Sequence, residues 1–376
     1  MSTPRLVRFG LVAAVVVGIP LDAQQVRVQT SYFAEAYNFD PGLSFKRVEQ
    51  YTWPVGISAS FGRYADLAIS TGYVVIHLES AVPNQLSDQR LAGALDTEIR
   101  LSYNVIPGQL VIFGTGKIPT GIQTVEQQEL SILGAIASDL ISFTATTLGS
   151  GGVVGGGFAG AMPVGSFALG VSGTFTNPLS YTPVVGDADA LKPGAEVRLR
   201  AGLEGSLGRR TYLRTAVIWS SRRQDAVGAQ TQNGIGNRII GYASVSHGLG
   251  PGQAVVYGFD VFRATPTLEP GLAGAAVLPR GNLIAVGGRY DWPVMGGVSL
   301  APRVEFRLSA AARSASDPRL RLLGQSVRFG VDVRKQLGRQ FTVAVQGDGV
   351  TGFVVQSGEH IGFDGFRVSL QGEWRP

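Results

Sequence analysis

Few residues here are equipped for chemistry, and most of them stand apart. The 376-residue chain has three histidines and no cysteine, which removes thiolate and disulfide chemistry. His77, His247 and His360 are remote from one another in the chain, and no two have metal-ligand spacing. Ser244 or Ser246 beside His247 would give a Ser–His pair for a hydrolase, whereas a solvated or interfacial histidine needs no chemistry at all. Gly155, Gly157 and Gly160 spell G-x-G-x-x-G. A dinucleotide site needs a helix to open there, and here Pro163 and an extended stretch follow. Gly116-Lys117 has the ending of a phosphate loop, but Ile118 replaces the hydroxyl residue and the first glycine is missing. The chain is therefore read as a non-enzyme with no cofactor and no metal.

The charged residues form the remaining constellation. Glu196, Arg198, Arg200 and Glu204 fall on one parity, as do Arg303, Glu305 and Arg307, and Arg328, Asp332 and Arg334. Alternate residues of a strand share a face, so each set lines one side of a strand. The opposite parity is apolar, as in Val298, Leu300, Pro302, Val304, Phe306 and Leu308. In a soluble sandwich that apolar face would sit on a core. In an outer-membrane barrel it faces lipid, and the charged face lines the lumen. Two roles follow for the lumenal charges. They cross-link the wall as ion pairs, or they act as a ladder that favours anionic solutes because arginine is in excess.

The same pattern recurs over most of the chain, with short turns alternating with long loops. Its 52 glycines, 44% hydrophobic and 16% charged residues are unlike a helical bundle. The formal charge of +5 does not point to nucleic acid, because the arginines are spread at strand spacing rather than clustered. The expected fold is all-β: a transmembrane antiparallel up-and-down β-barrel of about sixteen strands, within fourteen to eighteen. Trp53, Tyr64, Tyr212, Trp219, Tyr290, Trp292 and Trp374 stand near strand ends and suit interfacial girdles. Residues 1–23 read as a signal peptide, with Arg5 and Arg8 ahead of the apolar run Leu11–Ile19 and cleavage after Ala23. Residues 24–376 are the barrel.

One stretch breaks the rhythm. Between Ile118 and about Ser150, Thr124 and Gln127 suggest a capping box. Leu130, Leu133, Ala137, Leu140 and Ile141 then recur at helical spacing. The spacing predicts a helix over Val125–Ser142 inside the longest loop, either a lid on the rim or a constriction folded into the lumen.

The segment Gly116-Lys117-Ile118-Pro119-Thr120-Gly121, a strand ending in K-I-P-T-G, resembles one in outer-membrane channels for hydrophobic compounds. These are the long-chain fatty acid transporter family and the barrels linked to phenol and aromatic degradation. The resemblance implies uptake of small hydrophobic solutes. That family carries an N-terminal plug before its first strand, whereas here Val26 begins alternating directly after the signal. The C-terminal strand also departs from the usual aromatic ending: Arg375-Pro376 follow Trp374. Recognition by the barrel-assembly machinery would rest on Gly365, Val368, Leu370 and Trp374. The expected function is a passive outer-membrane channel for small, hydrophobic or anionic solutes. A closed-lumen structural or surface-interaction barrel is the alternative. Outer-membrane lipid and a small-molecule solute are the expected partners, nucleic acid is not, and the oligomeric state is left open.

Overall fold

A computed structural model describes residues 25–375 apart from 83–86, 270–271, 273–278, 315–316 and 318. The signal peptide expected over 1–23 lies outside the described residues. The strands in chain order are β1 (Gln25–Phe39), β2 (Phe45–Phe61), β3 (Ala65–Ser80) and β4, interrupted into Gln89–Ala94 and Thr97–Ile106. They continue with β5 (Leu110–Ile118), β6 (Val153–Val164), β7 (Phe167–Pro178), β8 (Glu196–Ser206), β9 (Thr211–Arg222) and β10 (Arg238–Leu249). The series ends with β11 (Gly252–Arg263), β12 (Gly281–Pro293), β13 (Val298–Ala312), β14 (Leu320–Leu337), β15 (Phe341–Gln356) and β16 (Glu359–Trp374). The sheet contains 17 hydrogen-bonded segments, and the two pieces of β4 both pair with β3, so it is a wall of sixteen staves.

Each stave pairs antiparallel with its sequence neighbour. The wall closes where β1 meets β16, from Val28 opposite Trp374 to Phe39 opposite Phe363. Closure removes the free edge and satisfies the backbone within hydrocarbon. Directly opposed residues share a face, so one parity runs around the whole barrel. On that outer parity Val171, Phe175, Leu199, Val217, Val304, Phe329 and Leu370 are exposed. A closed wall with an apolar exterior is an outer-membrane span. No described helix is long and apolar enough to cross a membrane.

One end of the barrel has tight turns. Gly165 and Gly250 take φ of 62° and 59° there, a region glycine enters without a Cβ penalty. Both termini of the wall lie at this end. The long connections 119–152, 179–195 and 223–237, with the described residues of 264–280, lie at the other, which makes it the extracellular mouth. Outward-facing aromatics gather in groups, with Trp53 5.0 Å from Tyr32 and 6.3 Å from Tyr73. Tyr212 departs from the expected girdle. It opposes Ser206 and Ser246 on the inner parity.

The largest buried apolar cluster lies inside the barrel, not between layers. The segment 119–152 enters the bore and packs Ile132, Ile136, Leu140, Ile141 and Phe143 against Tyr37, Val48, Val74, Ile76 and Leu78 of β1–β3. The helix in this segment is shorter than the expected Val125–Ser142. A 3-10 turn, Gln127–Glu129, leads into α1, Leu130–Ile136. The expected capping box is displaced by two residues. The Glu129 carboxylate accepts from the Glu126 N–H at 2.8 Å, while the Thr124 hydroxyl donates to the Thr182 carbonyl at 2.7 Å. Its buried face is also shifted, to Ile132, Ala135 and Ile136, which leaves Leu130 and Ala137 exposed. Leu133 packs at the margin of the cluster.

The inside–outside assignment has a direct test on adjacent residues of β7. Val171→Arg, on the outer parity, should destabilise the folded barrel in bilayers by about 2–4 kcal/mol, and Ser172→Arg by under about 1 kcal/mol. Urea unfolding from lipid vesicles measures both, and equal costs would contradict the assignment.

Candidate functional site

The interior divides into a wall that holds the inserted segment and a wall that faces it. Past α1 the chain has no strand to pair with, yet its backbone is enclosed. Buried N–H and carbonyl groups left unpaired are costly, and side chains from five staves satisfy them. Arg307 of β13 donates to the Asp139 carbonyl at 3.0 Å, and Ser326 of β14 to that of Leu140 at 3.3 Å. Arg328, also on β14, donates to the Ile141 carbonyl at 2.8 Å, and Arg367 of β16 to that of Ser142. On β1, Glu35 accepts from the Thr144 N–H at 2.9 Å. On β2, Gln50 bonds both backbone groups of Ala145 at 2.8 Å. This ladder takes over past the helix end: wall side chains bond the carbonyls of 139–142 and the amides of Thr144 and Ala145, while the Ser142 N–H keeps one helical bond, to the Ser138 carbonyl at 2.8 Å. Ser142 takes φ 59° within it, a conformation costing about 1–2 kcal/mol for an L-residue.

Carboxylates hold two of the ladder's guanidinium groups, those of Arg367 and Arg307, whereas the Arg328 Nε has no partner among the described residues. Arg367 Nε donates to Glu35 at 2.6 Å, and the Glu35 side chain is fully buried. Arg303 forks onto Asp348 at 2.5–2.9 Å and lies 3.6 Å from Asp332. Glu305 accepts from Arg307 at 2.7 Å and from the Tyr257 hydroxyl at 2.8 Å.

The ends of the segment are tied at one residue. Asp96 sits in the interruption of β4. It accepts from the Gly121 N–H at 3.0 Å, the Ser150 N–H at 2.9 Å and the Ser150 hydroxyl at 3.0 Å. A Cβ on Gly121 would collide with the Leu148 carbonyl, so the two legs of the loop approach only because this residue is glycine. Thr120 donates to the Leu95 carbonyl at 3.0 Å. The Pro119-Thr120-Gly121 part of the K-I-P-T-G stretch is thus the hinge where the chain leaves the wall. The loop 179–195 braces the segment from above through the Val125 and Val185 amides. Tyr181 of that brace has its phenol pushed above its ordinary value by burial, against the pull of Arg222.

The predicted charges fall into two groups. Arg303, Glu305, Arg307, Arg328 and Asp332 meet on β13 and β14 beside the inserted segment. Arg334 shares their parity but is exposed nearer the turn end. Glu196, Arg198, Arg200 and Glu204 stand on β8, on the facing wall. There Arg198 bonds Glu196 at 3.2 Å and Arg214 bonds Glu204 at 2.8 Å. Arg198, Ser220, Arg238 and Arg263 oppose one another across β8–β11. Among the described residues Arg200, Arg238 and Arg263 have no carboxylate partner, although Asp139 of the loop interacts electrostatically with Arg263. Glu35, Gln50, Asp96, Tyr257, Arg238, Arg263, Asp348 and Arg367 were not singled out by spacing. Strand parity carried a signal for most of them, since each strand residue here shares its inner face with a flagged or neighbouring polar residue.

The weaker motifs resolve into structure. His247 bonds the Thr211 hydroxyl at 2.9 Å on the outer parity, while Ser244 and Ser246 face inward, so strand parity separates the suggested Ser–His pair. His77 packs edge-on to Tyr51, and His360 stacks on Phe353 at 4.4 Å. Gly155, Gly157 and Gly160 lie in β6, and Lys117 pairs with Glu98 at 3.0 Å. No group of three or more metal-ligating side chains exists among the described residues.

Breaking the buried pair tests the ladder. Arg367→Leu should cost about 3–5 kcal/mol because it strands the Glu35 carboxylate. Adding Glu35→Leu should recover part of the loss in urea unfolding, and a neutral single variant would contradict the assignment.

Comparison with known proteins returned solved barrels at low identity. OccK9 (OpdG) of Pseudomonas aeruginosa superposes with a TM-score of 0.49 at 10% identity, covering 94% of this chain and 98% of that one. OccAB3 of Acinetobacter baumannii gives 0.48 at 9%, covering 94% and 99%. The outer membrane protein OpdK of Pseudomonas aeruginosa gives 0.46 at 11%, covering 94% and 100%. No protein-family model matches the chain, and no curated protein does.

Proposed function

We propose that the chain is a passive outer-membrane channel for small solutes, narrowed on one side by residues 119–152 and biased toward anions by the facing wall. The observation that carries this reading is the asymmetry of the bore. Beside the loop, Arg303, Arg307, Arg328 and Arg367 of β13, β14 and β16 are occupied by the loop backbone or by carboxylates, and only Arg334, nearer the turn end, is left without either among the described residues. Arg200, Arg238 and Arg263 have no carboxylate partner among the described residues. Like charges directly opposed across strands are destabilising, and Arg238 opposes Arg263. Unpaired guanidinium groups along a pore raise the local concentration of anions. The hydrophobic solutes implied by the K-I-P-T-G resemblance are less well matched to this charged wall. The stretch itself is accounted for as the loop's hinge.

The experiment is conductance in planar bilayers. The wild type should give discrete steps and a reversal potential on the anion side in a salt gradient. Arg238→Glu with Arg263→Glu should move that potential toward cations. Replacing residues 123–148 with a short Gly-Ser link, which the adjacent legs at Gly121 and Gly149 permit, should raise conductance about two-fold or more. Absence of steps, or a reversal potential indifferent to the charge reversal, would count against the proposal.

A further inference from the structure

A second site lies above the unpaired arginines, where β9, β10 and β11 leave the barrel. Residues of the connection 223–237 and Ala264, Thr265 and Thr267 border a half-open cavity of about 460 Å³ there, a size that admits a single-ring solute. Its walls are fixed by backbone. The Gly234 N–H donates to the Thr267 carbonyl and the Ala264 N–H to the Asn237 carbonyl, each at 2.8 Å. A Cβ on Gly236 would collide with the Ala264 carbonyl, so glycine is what lets the two loops close on each other.

The lining is polar and underused. Arg222 spends one nitrogen on Asp225 at 2.7 Å, and its buried Nε has no partner. Arg223 is anchored by its backbone N–H to the Ala195 carbonyl at 2.9 Å, and its guanidinium has no partner among the described residues. Thr231, Thr267 and Asn237 line the same space, and their side chains make no hydrogen bond among the described residues. Glu269 holds the Gln224 amide from outside the lining. Asp225 is taken by Arg222 and Glu269 by Gln224, so the Arg223 guanidinium is the cationic lining group without a carboxylate on it among the described residues, and it stands among hydroxyl and amide groups. A carboxylate matches the guanidinium fork. Several hydroxyls match the threonines and the asparagine amide, and a ligand lacking them leaves those groups unpaired.

We infer that this cavity captures a hydroxylated monoanion, a single-ring sugar acid, before it enters the bore. Its place on an uptake path rests on the channel reading, but binding does not. Isothermal titration of the full chain in detergent micelles, with D-glucuronate, glucose and acetate as separate probes, tests it. Glucuronate should bind saturably, with glucose and acetate each about ten-fold weaker or more. Arg223→Gln and Thr267→Val should each weaken glucuronate about ten-fold, while the conductance without solute stays as in the wild type. Acetate binding as tightly as glucuronate would reduce the site to a bare charge, and glucose doing so would make it a neutral-sugar site. Either result overturns the inference, as does an affinity unchanged in both variants or no binding at all. Conductance without binding would remove the capture site and leave the channel; binding without conductance would do the reverse.

Discussion

A stretch of chain enclosed in a barrel without a neighbouring strand must still satisfy its backbone, and the interior is built around that need. Residues 139–145 lie along the inner wall in no regular structure. Every buried N–H and carbonyl left without a partner there costs about 1–3 kcal/mol. The wall answers with Arg307, Ser326, Arg328, Arg367, Glu35 and Gln50, taken in nearly consecutive order along the loop. Glu305 and Glu35 keep Arg307 and Arg367 oriented, and an isolated buried charge would be far more costly than the pairs observed.

That arrangement makes the two halves of the bore different in kind. Beside the loop, charges are paired or spent on carbonyls, and apolar side chains from α1 and the chain after it fill the space against β1–β3. Across from it, the same alternation of arginine and carboxylate is met by no inserted chain among the described residues. Similar sequence patterns therefore serve as scaffold on one wall and carry no such load on the other. The polar cavity at the mouth sits above the second wall, at the level where Arg222 and Asn237 follow on from the row of Ser220 and Arg238.

The wall was readable because lipid and water impose opposite demands on alternate residues. Val304 and Phe306 against Arg303 and Glu305 leave little room for another register. The partners of those charges were not readable, since Arg307 meets Asp139 at a separation of 168 residues and Arg367 meets Ser142 at 225. The loop misled for a related reason. Leu130, Leu133, Ala137, Leu140 and Ile141 carry helical spacing, but only Leu130–Ile136 is α-helix. Spacing reports which residues are apolar, not whether the backbone between them finds partners along its own helix or on a distant wall. Gly121 and Asp96 were invisible singly, because a hinge becomes evident only when its two legs are seen together.

Hydrogen exchange of the peptide containing Thr144 and Ala145, in the intact protein in lipid nanodiscs, tests the central claim most directly. Their amides donate to Glu35 and Gln50 inside the bore. Protection comparable to the staves of the wall is the predicted result. Exchange as fast as in the extracellular connection 223–237 would contradict it, for the segment would then not be held within the barrel.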